Sequence, residues 1–600
     1  MRQAHYLEPL KTTSIPADHV VFDCETRLTH KHGKSAHRWV CGAYAKVHRT
    51  PDGSWLAPPP VPVQDPAELW ELITEAHVKG RRLVVWAHNL SFDLRISEAL
   101  RYLPQNGYTL EAVVLERTAA WASFTSRSGP LMLCDLFSWL PTSLDKMADD
   151  CGVPRGGFDY AQADEGELEA RVFADVTFTQ GVLRTMLEYL EGIDAGPFRP
   201  TGSGQSHAFW RKNYLPAKRV LVHGDEYALE RERVAMHAGR AEAWKVGQVD
   251  GPLHEYDLNL AYCRIAAANE LPVRLSHRIG QVGSPIRMLG GAGRAYLCEV
   301  DVETDQPLVP VSDGAFTYWP VGEFTTTLWD PEVDLLYGND AVVRVRRAWV
   351  YDTEPVLHDV SQFLIDALEG EIGEPPAPMH RLLKHWARTI VGRCGLRYRE
   401  WEHFGTVPVM GLGLSTMYDS ETCTQTELLH VGERVMELAD MAEADSSVPQ
   451  ITGWVMSKAR ANLWQIMKCA GLENLAYVDT DSVIVSKAGA HNLEEDLIEG
   501  GDMLLFPKDV WSSAYITGPR NIILEDTRRI AGIPKRATRI GDTTYDGEVW
   551  AGVKASLSGR QLDNVAVTQR LFKVSQINRR RTHRPDGSTV PVEVHQLEPR

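Results

Sequence analysis

Between Asn474 and Val485 the chain sets two acids, Asp479 and Asp481, into apolar sequence: Leu475 and Tyr477 precede them, and Val483, Ile484 and Val485 follow. Apolar residues on both sides of a short polar turn predict a hairpin of two buried strands with Asp479-Thr480-Asp481 at its tip. Carboxylates beside so much apolar surface are costly unless a cation neutralises them. Magnesium suits that task, because it binds through one or two carboxylates and leaves positions for phosphate oxygens. An isolated Asp-x-Asp more often marks an ordinary polar turn, so the hairpin gains meaning only in company with other acids.

A third acid stands in Glu255-Tyr-Asp257-Leu-Asn-Leu-Ala-Tyr262. Leu253 to Leu258 reads as a strand end and Ala261 to Asn269 as a following helix, so Asp257 falls at their junction and can reach ions held by the hairpin. Between the two segments runs His380-Arg-Leu-Leu-Lys-His-Trp-Ala-Arg-Thr-Ile-Val391. Its Arg381, Lys384 and Arg388 lie three and four apart on one helical face. A solvated basic face is the commoner meaning of such a stripe. Its position between the acids favours a cradle for a triphosphate, whose charge must be held while the α-phosphorus is attacked in line. Tyr262 would then lie beneath the bound nucleotide, its ring against the sugar and excluding a 2′-hydroxyl.

A second acidic set lies near the N-terminus. Val20-Val-Phe-Asp23-Cys-Glu25-Thr puts two acids at i and i+2 of a strand, hence on one face. His88-Asn89-Leu-Ser-Phe92-Asp93 adds an acid after another strand, over 81–88, and Asp175 lies on a helix read over 165–193. Four acids from separate elements could hold two metal ions, one to generate hydroxide and one to stabilise a leaving oxygen.

Composition narrows the class. At 600 residues the chain exceeds one compact core and implies about two to four domains. No apolar run spans a bilayer, and the first residues lack a signal-peptide layout, so a cytoplasmic protein without a membrane role is expected. Nine scattered cysteines without a Cys-x-x-Cys pair read as reduced packing residues. The net charge of −17 is unhelpful for phosphate contacts, but basic stretches remain at Arg381 to Arg399 and Arg579 to Arg584. Pro197 to Gln205 reads as a linker or exposed loop, and 355–368 with 381–394 as a helical hairpin between sheet segments.

Taken together, the segments resemble family B DNA polymerases. Asp257 to Tyr262 is similar to motif A of that family and Tyr477-Val-Asp479-Thr-Asp481-Ser482 to motif C. Motif B is degenerate here: Ala387 to Leu396 lacks its Asn and Tyr, with Arg388 the counterpart of its Lys and Lys384 the alternate. The N-terminal acids resemble the three motifs of the family's 3′–5′ proofreading exonuclease, an RNase H-like domain. The resemblance implies that Asn89 and Phe92 hold the single-stranded 3′ end, consistent with stacking on aromatic rings. Where the third motif usually has Tyr, four residues before its Asp, this chain has Arg171, which could position the attacking water. Lys146 is similar to an exonuclease lysine of one branch.

The compact spacing, with about 230 residues from Asp23 to Asp257, is similar to the protein-primed branch of phages and linear plasmids. Candidates for that branch's two palm insertions are Gly280 to Tyr351 and Gly405 to Pro449. Met236-His-Ala-Gly239-Arg240 stands where the branch has Tyr-x-Gly-Gly, and Gly518-Pro-Arg520-Asn-Ile522 where it has Lys-x-Tyr; Arg520 thereby becomes a DNA-binding candidate.

The expected architecture is multidomain, α/β and α+β: an RNase H-like 3′–5′ exonuclease domain followed by a right-hand polymerase with palm, fingers and thumb. Its parts are 1–200 exonuclease, 201–250 connector, 251–353 palm with the first insertion, 354–400 fingers, 401–449 second insertion, 450–530 palm, and 531–600 thumb and C-terminal region. The expected activity is DNA-directed DNA synthesis with proofreading, replicating a phage or mobile-element genome. Two magnesium ions per site are expected, with manganese as an alternative. Asp257, Asp479 and Asp481 would hold one pair; Asp23, Glu25, Asp93 and Asp175 would hold the other. Partners would be template and primer DNA, dNTPs and, for protein priming, a terminal protein, with the chain acting as a monomer. The rival readings are a 3′–5′ exonuclease with a decayed polymerase domain and a non-catalytic nucleic-acid-binding protein.

Overall fold

A computed structural model of the chain describes residues 2–31, 34–116, 119–155, 157–160, 162–280, 293–314, 316–496, 504–559, 564–574 and 580–594. Residues 281–292 of the first candidate insertion and Arg579 of the C-terminal basic run lie outside the described residues.

The apolar run Leu83–Ala87 is buried at every residue, as expected of a strand covered on both faces. It lies parallel to Asp18–Lys31 on one side and to Pro130–Asp135 on the other. Antiparallel strands Ala119–Thr125 and Thr109–Glu116 continue the sheet beyond Pro130–Asp135, and Lys34–Arg49 flanks Asp18–Lys31. Helix Glu165–Gly192 starts at a capping box between Asp164 and Glu167 and packs across Asp18–Lys31 and Lys34–Arg49.

Strand Lys34–Arg49 would leave an open edge at Ser35–His37, with backbone groups awaiting a partner. Strand Val565–Lys573 fills it, pairing Ser35 with Val567 and His37 with Val565. Thr544–Trp550 and Thr538–Arg539 extend the sheet further. Three strands of 531–600, the range expected as thumb and C-terminal region, thus continue the N-terminal sheet.

The central sheet has seven strands, in the order Ala241–Ala243, Leu475–Asp479, Ser482–Ser486, Gly247–Leu258, Leu505–Gly518, Asn521–Leu524 and Thr527–Ile530. The helical hairpin is present as His358–Glu369 and Ala377–Cys394, which pack together. The linker or exposed loop expected at Pro197 to Gln205 ends at Thr201. Thr201 caps a helix, Gly202–Asn213, by accepting from the Gly204 N–H, so the polar stretch is a helix start.

Around the first candidate insertion, strands Leu271–Gly280, Val342–Glu354, Arg294–Thr304 and Gly322–Trp329 form an antiparallel sheet. In the second, Trp401–Asp419 and Thr424–Leu438 pair as one long hairpin. Leu429 and Val431 of that hairpin join the apolar core under the N-terminal sheet. Six of the nine cysteines are buried. No described helix is long and apolar enough to cross a membrane.

Candidate active sites

The hairpin tip meets Asp257 through strand register. Asp257 lies opposite Ser482, and the Leu258 N–H donates to the Asp481 carbonyl at 2.8 Å. The turn is tight. Thr480 sits at φ +59°, its N–H donates to the Arg240 carbonyl at 2.6 Å, and the Asp481 N–H donates to the Asp479 carbonyl at 2.7 Å. Gly239 is required beneath it, because a Cβ there would come within 2.9 Å of the Thr480 side chain. The next residue, Arg240, is buried with its guanidinium between Trp319 and Trp464 and bonded to Glu242 at 2.7 Å.

Burial, and then the nearby charges of Asp257 and Asp479, push the Asp481 carboxyl up to about 6, while Lys508 pulls it the other way. Leu260, left-handed at φ +55°, starts the helix Ala261–Ala268 and sets Tyr262 in its first turn. Burial chiefly raises the Tyr262 phenol, and Asp481 and Asp479 add to the shift, which puts the ring in the field of the hairpin acids.

The cationic stripe divides. Burial lowers the Lys384 ammonium, as do Arg388 and Arg381, whereas Asp257 opposes the shift, so Lys384 lies within the field of Asp257. Arg388 is exposed on the same face. Arg381 is instead bonded through Nε to Asp150 of the N-terminal unit, which takes its guanidinium out of the expected cradle.

Arg520 stands exposed in the turn after Leu505–Gly518, and its N–H donates to the Tyr477 hydroxyl at 2.5 Å. Arg580 feels both Arg520 and Asp479. The pair forms a basic margin beside the hairpin. Sequence reading had Arg520 as a candidate and Arg580 only as part of the basic stretch Arg579 to Arg584, with nothing to place it beside the hairpin.

In the N-terminal unit the four expected acids converge. Asp23 and Glu25 share one face of their strand, and Asp93 lies on helix Leu90–Ile96, accepting from the Cys24 Sγ at 3.4 Å. Burial pushes Asp23 up to about 7 and Glu25 up to about 8; Asp175 adds to the first, Asp23 and Asp175 to the second. Burial also raises Asp93 well above the carboxylate range, with Asp23 contributing.

Asp175 is restrained by two arginines, Arg155 at 2.5 Å and Arg171 at 3.2 Å, and Asp145 accepts from the same pair at 3.1 and 3.5 Å. Arg155 and Tyr160, which hydrogen-bonds Arg171 and senses Glu25, were not legible in the sequence. They come from the irregular segment before helix Glu165–Gly192.

Asn89 is exposed in the left-handed conformation at φ +71°. Its N–H and that of Leu90 are held by Asp135 Oδ1 at 3.0 and 3.2 Å. Phe92 packs beside His37 and Trp550. Lys146 is exposed on the short helix Leu144–Asp150.

The donor chemistry of both centres fits divalent magnesium. The N-terminal acids raise one another's proton affinity, and Asp257 and Asp479 add to the rise at Asp481, a repulsion that a hard cation with oxygen ligands relieves. Among the described residues, no three acidic, histidine or cysteine side chains close into metal-ligating geometry. The fit therefore rests on charge and donor type.

No protein-family model matches the chain, and no curated protein matches it in sequence. Solved structures do match. Phi29 DNA polymerase complexed with primer-template DNA and incoming nucleotide substrates aligns with a TM-score of 0.63 and 13% identity, over 94% of this chain and 100% of that one. The fold closely resembles that of Phi29 DNA polymerase. The post-translocation binary complex of Phi29 DNA polymerase with primer-template DNA gives a TM-score of 0.65 at 12% identity, covering 93% and 100% of the two chains. Its complex with single-stranded DNA gives the same values. The multidomain Phi29 polymerase layout, an exonuclease domain beside palm, fingers and thumb, therefore describes this chain at the level of fold.

Proposed function

We propose that the chain is a DNA-directed DNA polymerase with a 3′–5′ proofreading exonuclease, replicating a phage or mobile-element genome and primed by a terminal protein. The observation that carries this reading is the meeting of Asp257 with the Asp479–Asp481 turn, with Lys384 in the field of Asp257, on a fold resembling Phi29 DNA polymerase.

In the polymerase centre, Lys384 and Arg388 hold the triphosphate of a dNTP and Tyr262 packs under its sugar. Asp257 and Asp481 would hold the metal pair, with Asp479 in support. Magnesium bound there, or manganese in its place, supplies positive charge against the primer hydroxyl and the leaving pyrophosphate. The primer 3′-oxygen forms a bond to the α-phosphorus as the bond to pyrophosphate breaks. Arg520 and Arg580 contact the primer–template backbone.

In the exonuclease centre, Asp23, Glu25, Asp93 and Asp175 would hold the ions. Asn89 and Phe92 hold the 3′ end, and Lys146 contributes from the rim. Arg171 and Arg155 fix Asp175 and lie where an attacking water can be oriented.

The test separates the centres. The double variant Asp479→Ala, Asp481→Ala should lose primer extension and keep single-strand degradation, and Asp23→Ala should do the reverse. Full extension by the double variant would overturn the polymerase assignment. Comparing a terminal-protein candidate, an annealed primer and bare template tests the priming mode; extension from the annealed primer alone would refute protein priming.

A further inference from the structure

Strand Thr544–Trp550 ends beside the helix that carries Asp93, although the two are far apart in the chain. The Trp550 ring centroid lies 5.4 Å from that of Phe92 at an interplanar angle of 41°, and 5.1 Å from that of His37 at 52°. Phe92 and His37 are themselves 5.9 Å apart and edge-on. The three rings form one aromatic cluster, with two members from the N-terminal unit and one from the returning C-terminal strands.

The backbone here is pinned. Arg95, on the same helix as Phe92 and Asp93, donates to the Ala551 carbonyl and to Ser556 Oγ at 3.3 Å. The Ala551 N–H donates to the Ala566 carbonyl at 2.9 Å. Even so, Trp550 keeps 45% of its surface exposed. Packing alone would bury such a ring; holding it firmly while leaving it open to solvent is what a stacking platform requires.

We infer that Trp550 is a base-stacking residue of the exonuclease centre, which receives a nucleobase of the single-stranded 3′ end beside Phe92. It is a positioning residue: it orders the strand over Asp23, Glu25 and Asp93 and takes no part in the chemistry. This rests on the exonuclease reading above. It also makes the editing site composite, because the returning strands complete a surface that the N-terminal unit lacks.

The experiment uses the full chain and a short oligothymidylate, with W550A, W550L and W550F. Binding is followed by fluorescence anisotropy in a non-cleaving Asp23→Ala background, and degradation is measured in the otherwise native chain. Stacking on one ring predicts that W550A and W550L each raise Kd and KM about tenfold with kcat little changed, and that W550F restores most of the binding. Leucine refills the volume without a π face, so a merely structural role predicts that W550L behaves like wild type, and that result overturns the inference. Unchanged Kd and KM in W550A overturn it equally. No degradation by the unmodified chain refutes the exonuclease reading instead, and the anisotropy measurement still decides whether Trp550 stacks.

Discussion

Glu255, two residues before Asp257, shows how the strand that carries the catalytic candidate is anchored. Its carboxylate is buried and receives both Arg529 nitrogens at 2.7 and 3.0 Å, the Trp511 indole at 3.0 Å and Lys508 at 3.1 Å. Burial alone would raise its proton affinity, but these donors, Arg529 first, hold it below the usual glutamate range. A depressed carboxyl contributes stability that is present above the unfolded value of about 4.3 and is lost as pH falls through the folded one. Glu255→Gln should therefore cost about 1.5 kcal/mol at pH 7, at the lower end for a charged hydrogen bond because Arg529 is partly exposed. That deficit should shrink in acid. Denaturant unfolding of both proteins across pH checks this; an equal deficit at neutral and acid pH would remove the ion-pair explanation. The charge of Glu255 was visible in the sequence. Its partners were not, because Arg529 comes from a strand three places along the sheet.

At the scale of the element, helix Ala377–Cys394 carries its apolar residues on one side and its cations on the other, and the sequence period showed both. Periodicity could not show which cation each neighbour takes. Arg381 is drawn to Asp150, whereas Lys384 is left in the field of Asp257. Lys384→Ala should lower kcat/KM for dNTP incorporation at least about tenfold, the value of one charge-assisted bond to phosphate. Arg381→Ala should change it by less than about threefold, as expected for a contact between units. Steady-state incorporation kinetics on an annealed primer discriminate; equal losses in the two variants would restore the undivided stripe.

For the whole molecule, the determining contact is the return of the C-terminal strands to the N-terminal sheet at Ser35–His37. It joins residues from opposite ends of the chain, and the buried Arg95 fastens it. Arg95→Ala should destabilise the protein by about 2 kcal/mol and speed amide exchange along Ser35–His37 and Val565–Val567. Exchange along Leu475–Ser486 should be unaffected. Uniform acceleration throughout the chain would mean instead that the two sheets unfold as one unit.

Sequence by itself determined the elements whose residues lie close together in the chain. The Asp479–Asp481 hairpin, the Asp257 junction, the acids at Asp23 and Glu25 and the long helix bearing Asp175 were all legible, because alternation, helical period and capping are local signals. Tertiary structure alone decided what stands around those acids: Arg155 and Tyr160 beside Asp175, Asp150 on Arg381, and Trp550 beside Phe92. Such pairs depend on which faces pack and which sheet edge needs a partner. Those choices follow from burying surface and satisfying backbone groups over the whole chain, and no local pattern records them.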